Sequence, residues 1–313
     1  MRRFHDADVP DQTGRTALVT GATGGLGLRV SEVLASHGAR VILGSRNPQR
    51  GALALQRVDT AATAAPPELV NLDLASLASV RAAAADVRHR TGDRLDLLVN
   101  NGGIMAPPLT FSVDGFESQW ATNVIGPAAL TWLLLPSLDR LQGSRVVFVS
   151  STRHASARLD EARIEADVRG QDYRGFDYYG RTKLADLLLS HQLDRAFREA
   201  DSATISVAAH PGFSATGIVG SGFAGLPRVV RPIATWGMGA LGQSATIGAL
   251  PILYAATATA PNVAGDDYFG PRALGGLRGY PGRARRSRES LSDELGETLV
   301  RIVERLTEVV SGS

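Results

Sequence analysis

The sequence predicts an α/β fold, a doubly wound parallel sheet forming one domain across its 313 residues. Three observations predict it. Short β-branched apolar runs alternate with longer helical patterns as far as residue 210. Those runs are apolar throughout, as strands covered on both faces must be. A glycine-rich turn, "TGATGGLG" (20–27), joins the first run to the first helical pattern. Alternation of this kind gives parallel strands joined by right-handed crossovers, with ligands held at the carboxyl ends of the strands.

The expected strands are 16–20, 40–43, 68–72, 95–99, 145–149 and 204–208. Amphipathic or alanine-rich segments near 25–37, 49–57, 76–90, 114–138 and 178–200 predict the helices between them. This places the cofactor-binding and catalytic core at 14–211. After Pro211-Gly212 the texture changes. Residues 212–242 are rich in Gly and Pro and carry scattered large apolar groups, among them Phe213, Phe223 and Trp236. They are a candidate substrate lid; a membrane-touching surface and a packed irregular segment are the alternatives. An apolar helix is expected from Ser244 to Ala256, kinked or divided at Pro251. A strand-like "DDYFG" (266–270) follows, then an amphipathic helix near 289–309 within a C-terminal extension, 281–313. No internal repeat or long linker divides the chain.

Composition excludes several classes of function. A formal charge of +2 offers no electrostatic footprint for nucleic acid, despite a pI near 9.2. The chain has no cysteine, which removes disulfides, thiolate catalysis and Cys-ligated metals, and its six histidines show no metal-ligand spacing. The polar start "MRRFHDADVPDQTGR" lacks the apolar region of a signal peptide, and no uninterrupted run reaches the roughly 18 apolar residues of a membrane span. The expectation is a cytoplasmic protein with no integral membrane segment. The arginines at 283, 285, 286 and 288 are expected to form a solvated loop. Of 33 basic side chains only Lys183 is a lysine. A GC-rich genome explains the rarity of lysine; it does not explain why the one that remains stands here.

"LVTGATGGLG" (18–27) places Gly21, Gly25 and Gly27 between strand and helix, with Thr23 and Leu26 in the same turn. Glycines let the backbone approach a pyrophosphate, and the helix N-terminus beyond offers unpaired N–H groups to its charge. The spacing is G-x-x-x-G-x-G, and its place in the first βαβ unit predicts a Rossmann-type dinucleotide site. An NAD site wants a carboxylate at the end of the second strand. Here Ser45 and Arg46 stand there. A carboxylate would repel a 2′-phosphate, whereas serine and a guanidinium bind one, so NADP(H) is expected in preference to NAD(H).

With this turn, "NNGG" (100–103) after the fourth strand and "YYGRTK" (178–183), the chain resembles the short-chain dehydrogenase/reductase family over nearly its whole length. Tyr179 and Lys183 match that family's Tyr-x-x-x-Lys pair. "VVFVSS" (146–151) matches the strand that ends in its serine, with Ser151 preferred and Ser150 the alternative. The resemblance further implies Asn123 in "WATNVIG" as the structural and catalytic asparagine, and Asp73 beside Leu74 in "LDL" at the adenine. It implies Asn101 and Gly102 along the cofactor, and Pro211 and Gly212 as a turn before Thr216, which would touch the nicotinamide amide. The "SSTRHA" start and the C-terminal "YFGPRALGGLRGYP" are similar to the retinol-dehydrogenase-like branch and to actinobacterial oxidoreductases. Two departures stand out: Gly102 where the family usually has alanine, and a long spacer between Ser151 and Tyr179. A homodimer or homotetramer through helices 114–138 and 178–200 is expected by resemblance, unless the C-terminal helix caps that surface.

Tyr179 and Lys183, four apart on a helix, share one face. A phenol, with its ordinary pKa near 10, is a poor base at neutral pH, and a neighbouring ammonium favours the phenolate. The expected reaction is hydride transfer between NADP(H) and a carbonyl or alcohol on a small to medium, lipophilic substrate. Tyr179 would be the general acid/base, Ser151 would orient the reacting oxygen, and Lys183 and Asn123 would support the relay and the cofactor. A cofactor-sensing protein without turnover is the alternative; an epimerase acting on nucleotide sugars fits less well. His154, His210 and Tyr178 read as structural, and Phe116, Trp120 and Trp132 as core or interface.

Overall fold

The computed structural model describes residues 3–138, 143–213 and 243–311. Its sheet has the strands β1 (Thr16–Thr20), β2 (Arg40–Ser45), β3 (Glu68–Asn71), β4 (Leu97–Asn100), β5 (Arg145–Val149), β6 (Ile205–Ala209), β7 (Tyr268–Ala273) and β8 (Arg278–Arg283). They lie in the order β3-β2-β1-β4-β5-β6-β7-β8. The first seven are parallel and β8 is antiparallel to β7. Chain direction across the sheet reverses between β1 and β4, which opens a crevice at their carboxyl ends.

The helices are α1 (Gly25–Ser36), α2 (Pro48–Ala61), α3 (Leu77–Thr91), α4 (Ser118–Leu138), α5 (Glu161–Val168), α6 (Gly175–Glu199), α7 (Ala245–Thr257) and α8 (Asp293–Thr307). Side-chain oxygens close many of their first turns: Asn47 accepts from Arg50 N, Ser76 from Ser79 N, Asp160 from Arg163 N and Ser244 from Ile247 N. Alternate strand residues feed opposite apolar layers. Leu18, Ile42, Leu98 and Phe148 face α3, α4, α6 and α8, whereas Val19, Leu43, Val99 and Val207 face α1, α2 and α7.

Three sequence expectations change. α7 runs unbroken through Pro251: Ala249, Leu250, Ile252 and Leu253 are buried, and packing on all sides outweighs one missing N–H donor. Arg286 is not solvated. It pairs with Asp266 and donates to the carbonyl oxygens of Leu187 and Ser290, while Arg283 pairs with Asp267. α4 is long and apolar enough to cross a membrane by length and hydropathy, yet 83% of that window is buried inside the protein, so it is a core helix. The long spacer before Tyr179 holds a short 3-10 turn (Thr152–Ser156) and α5, neither foreseen; nor was the edge strand β8.

α8 lays its apolar residues Leu299, Ile302 and Val303 into the layer shared with α4 and α6. Arg195–Glu297 and Arg301–Glu161 ion pairs border it. The C-terminal helix therefore covers the two helices that the resemblance offers to a partner chain. Most of the lid candidate, 214–242, lies outside the described residues.

Candidate active site

The glycine turn and the loop after β4 are bolted together by one hydroxyl. Thr20 Oγ1 accepts from the backbone N–H groups of Asn101 (3.0 Å) and Gly102 (2.8 Å), and Asn101 Nδ2 donates to Thr20 O. Gly21 has φ +65°, and a Cβ there would stand 2.8 Å from Gly102 Cα. Gly27 has a different reason to be glycine. A Cβ on it would meet Asn101 Nδ2 at 2.4 Å and Gly21 O at 2.5 Å, so it serves close packing of helix against turn. At Gly102, where the family usually has alanine, a Cβ would sit 2.7 Å from Leu74 Cδ1, the end of a side chain that can turn aside.

A groove of about 380 Å³ runs over these turns, lined by Gly21, Thr23, Gly25, Leu26, Ser45, Arg46, Asp73, Leu74, Asn101 and Gly102. The structure thus gathers ten of the expected cofactor residues in one place. Gly24, Asn47, Arg50, Gly103 and Ile104 also line it. Arg50 was missed by sequence reasoning. The signal was available: Asn47-Pro48 caps and starts α2, which turns Arg50 toward Gly24. Arg46 Nη1 lies 3.7 Å from Asp73 Oδ1, with both side chains exposed. Pro211 and Gly212 do not line the groove. Pro211 O accepts from Gln243 Nε2, and Gly212, at φ +67°, is pressed against Leu277 O. Thr216 lies outside the described residues. A separate cavity of about 250 Å³ beneath α8 contains none of the expected site residues.

At the end of the groove stand the residues expected to react. A Cβ on Gly103 would be 3.1 Å from Asn123 Oδ1 and 3.7 Å from Lys183 Nζ, so groove, asparagine and lysine converge. Asn123 sits in a π-helical turn of α4 (Ala121–Ile125). Its Oδ1 accepts from Ile104 N (2.8 Å), and its Nδ2 donates to Ile104 O and Thr182 Oγ1. It ties the loop after β4 to α6, and such bulges are frequent at functional sites. Lys183 is buried. Its ammonium donates to Val149 O (2.9 Å) and Asp186 Oδ2 (2.7 Å) and lies 5.8 Å from the centroid of the Tyr179 ring. Tyr178 points the other way, into the core, and donates to Gln171 O.

The two serines are separated by their partners. Ser150 is buried, and its hydroxyl donates to Lys183 O (2.6 Å). Ser151 is half-buried; its Oγ accepts from Arg153 N (3.3 Å), which leaves the hydroxyl proton for another group. That difference supports Ser151. Gly180 lets α6 approach the 3-10 turn beyond, where an added Cβ would lie 3.2 Å from Arg153 O. His154 Nδ1 lies 2.6 Å from Ser151 O; since a carbonyl only accepts, this nitrogen carries the proton. Burial pushes the His154 pKa down.

His210 packs against Tyr268 with ring centroids 5.2 Å apart, and its Nδ1 accepts from Gly212 N. Burial first, then neighbouring His154, push its pKa down to about 4. The unfolded chain protonates this group near its ordinary 6.5 and so binds more protons than the folded one between those values. His210 therefore contributes no pH dependence above about pH 6.5 and costs stability progressively from there to about 4, on the order of 3 kcal/mol. Urea midpoints of the parent and His210→Gln at pH 7 and pH 4.5 check this: the parent should lose more on acidification than the variant.

A doubly wound sheet, a glycine-lined groove at its switch point and a Tyr-x-x-x-Lys pair at the groove's end define a dinucleotide-dependent oxidoreductase. Comparison with known proteins agrees. Residues 15–159 match the short chain dehydrogenase family model. Retinol dehydrogenase 14 of Mus musculus is 35% identical over 269 residues, covering 82% of this chain and 78% of that protein. Polyprenol dehydrogenase of Mus musculus is 37% identical over 214 residues, covering 67% of this chain and 62% of that protein. The crystal structure of an uncharacterised protein from Mycobacterium paratuberculosis matches with a TM-score of 0.78 at 34% identity, over 99% of each chain. The chain belongs to the short-chain dehydrogenase/reductase family, an NAD(P)(H)-binding family of oxidoreductases, and is retinol-dehydrogenase-like within it.

Proposed function

We propose that this protein interconverts a carbonyl and an alcohol on a small to medium, lipophilic substrate, with NADP(H) as cofactor. The observation that carries the reading is the convergence of Lys183, Asn123 and the groove at Gly103, with Tyr179 on the same face of α6 as Lys183. The groove fits a dinucleotide, with Gly21 and Gly25 at its floor and α1 opening there with its unpaired N–H groups. When bound, NADP(H) supplies or accepts the hydride. Tyr179 gives a proton to the forming alkoxide oxygen, or takes one from the alcohol. Ser151 donates to the same oxygen and fixes its position. Lys183 sets a positive charge beside the Tyr179 ring, and Asn123 holds Ile104 and Thr182 in register around it.

The choice of NADP(H) rests on Ser45, Arg46 and Arg50 at one end of the groove, two guanidinium groups where a 2′-phosphate would lie. Arg46→Ala should weaken NADPH roughly ten- to a hundredfold in KM and leave NADH nearly unchanged. Lipophilic substrates are supported by Phe176, exposed three residues before Tyr179 on the same helix, and by the names of the retinol and polyprenol dehydrogenases. The test is a screen of aldehydes, ketones and quinones with NADPH and NADH. Equal turnover with the two cofactors would remove the cofactor choice. Tight NADPH binding with no turnover on any class would favour a sensing protein instead.

A further inference from the structure

Lys183 and Asp186 form an ion pair of unusual placement. Both side chains are almost completely buried, 7% and 4% exposed, with Nζ 2.7 Å from Oδ2. Helix stability does not account for it, because a lysine preceding its acidic partner has the less favourable orientation in a helix. Nor does fold stability, because desolvating two charges offsets most of what their attraction returns. An ammonium has three donors. One goes to Val149 O at the end of β5 and one to Asp186, which leaves a single N–H for whatever fills the end of the groove beside Gly103.

We propose that Asp186 is a positioning residue: its buried carboxylate holds the Lys183 ammonium on the groove side of α6 and keeps it charged there. The proposal rests on the function proposed above, in which Lys183 serves Tyr179 and the cofactor. Among the described residues, the groups that face the pair are few. Tyr179 lies on α6 itself, Tyr268 comes from β7, and β5 contributes the Val149 carbonyl; the Ser150 hydroxyl donates to the backbone carbonyl of Lys183. Burial pushes Tyr268 far up, so it stays a neutral phenol. Burial also pushes the Asp186 carboxyl up, to about 6, against the pull of Lys183. For Lys183 burial works against the charge, and Asp186 together with Tyr179 outweighs it, so its pKa is raised. At neutral pH the pair is ionised; below about 6 the lysine loses its anionic partner.

Because Lys183 is the only lysine in the chain, isotopically labelled lysine gives one side-chain signal to follow. In the parent that ammonium should exchange slowly with solvent and shift with a midpoint near 6. In Asp186→Asn the shift should vanish and exchange should quicken. Asp186→Asn should also lower kcat roughly ten- to a hundredfold, weaken NADPH, and lose an acid limb near 6 that the parent shows in kcat. Asp186→Leu should be worse; if it fails to fold, the asparagine variant decides. An unchanged lysine signal, with the parental kcat and pH profile in Asp186→Asn, overturns the proposal. Tyr179→Phe separates the two readings. If Tyr179→Phe is inactive while Asp186→Asn behaves as the parent, only the positioning role fails; if Tyr179→Phe keeps full activity, the proposed chemistry fails with it.

Discussion

Tyr179→Phe is expected to fold like the parent and to lose turnover by roughly two to four orders of magnitude. Folding should survive because the phenylalanine keeps the buried ring that Tyr179 presents from α6, and among the described residues none is seen hydrogen-bonded to the lost hydroxyl. Turnover should fall because the phenol is the group proposed to exchange a proton with the reacting oxygen, and phenylalanine has none to give. Ser151 can donate a hydrogen bond to that oxygen, but an unactivated serine hydroxyl does not give up its proton at neutral pH. NADPH should still bind, since the groove from Gly21 to Arg50 is untouched. Cofactor titration together with steady-state rates on a substrate found by the screen checks both halves. Loss of binding along with rate would place Tyr179 among the structural residues.

Gly126→Ala should cost about 3 kcal/mol or more, or abolish folding. An added Cβ would stand 2.0 Å from Leu74 O and 3.1 Å from Ala121 O, and both neighbours are backbone, which cannot swing aside. The damage should extend to function. The Gly126 N–H closes the π turn onto Ala121 O, and that turn carries Asn123. Leu74 in turn lines the groove and fills the space beside Gly102. A urea-unfolding midpoint measures the stability loss. In any protein that still folds, NADPH affinity should fall too, because the strain is shared between α4 and the loop after β3 that carries Leu74. A variant of parental stability would mean that α4 can withdraw from Leu74 without disturbing the rest.

Much of this was legible in the residues, for identifiable reasons. Strands buried on both faces must be apolar throughout, so six of the eight were legible from that pattern, four at their observed starting residues, and β7 from the strand-like "DDYFG". Glycine at a backbone crowded by another backbone is a strong local requirement, so the turn at 20–27 announced itself. The edge strand β8, "RGYPGR", was invisible because an edge needs pairing on one side only and tolerates Pro and Gly. α5 escaped because it is eight residues long and offers only Ile164 and Val168 to the apolar layer, with Asp160 capping it and Arg163 and Arg181 pairing with its Asp167.

The sequence by itself determined the alternating fold, the dinucleotide turn, the pairing of Tyr179 with Lys183 and the basic residue at the end of β2. Each of these depends on spacing within one element or at one junction, where 3.6-residue and two-residue periods translate directly into faces. Tertiary structure alone decided which glycines face the groove and which, like Gly27 and Gly126, merely let two backbones touch. It also decided which serine keeps a hydroxyl proton to offer, that Thr20 joins β1 to the loop after β4, and that Asp186 holds the lone lysine. These are contacts between groups up to some eighty residues apart in the chain, and no local period encodes them. They exist only once burial has brought the ends of β1, β4 and β5 together with α4 and α6.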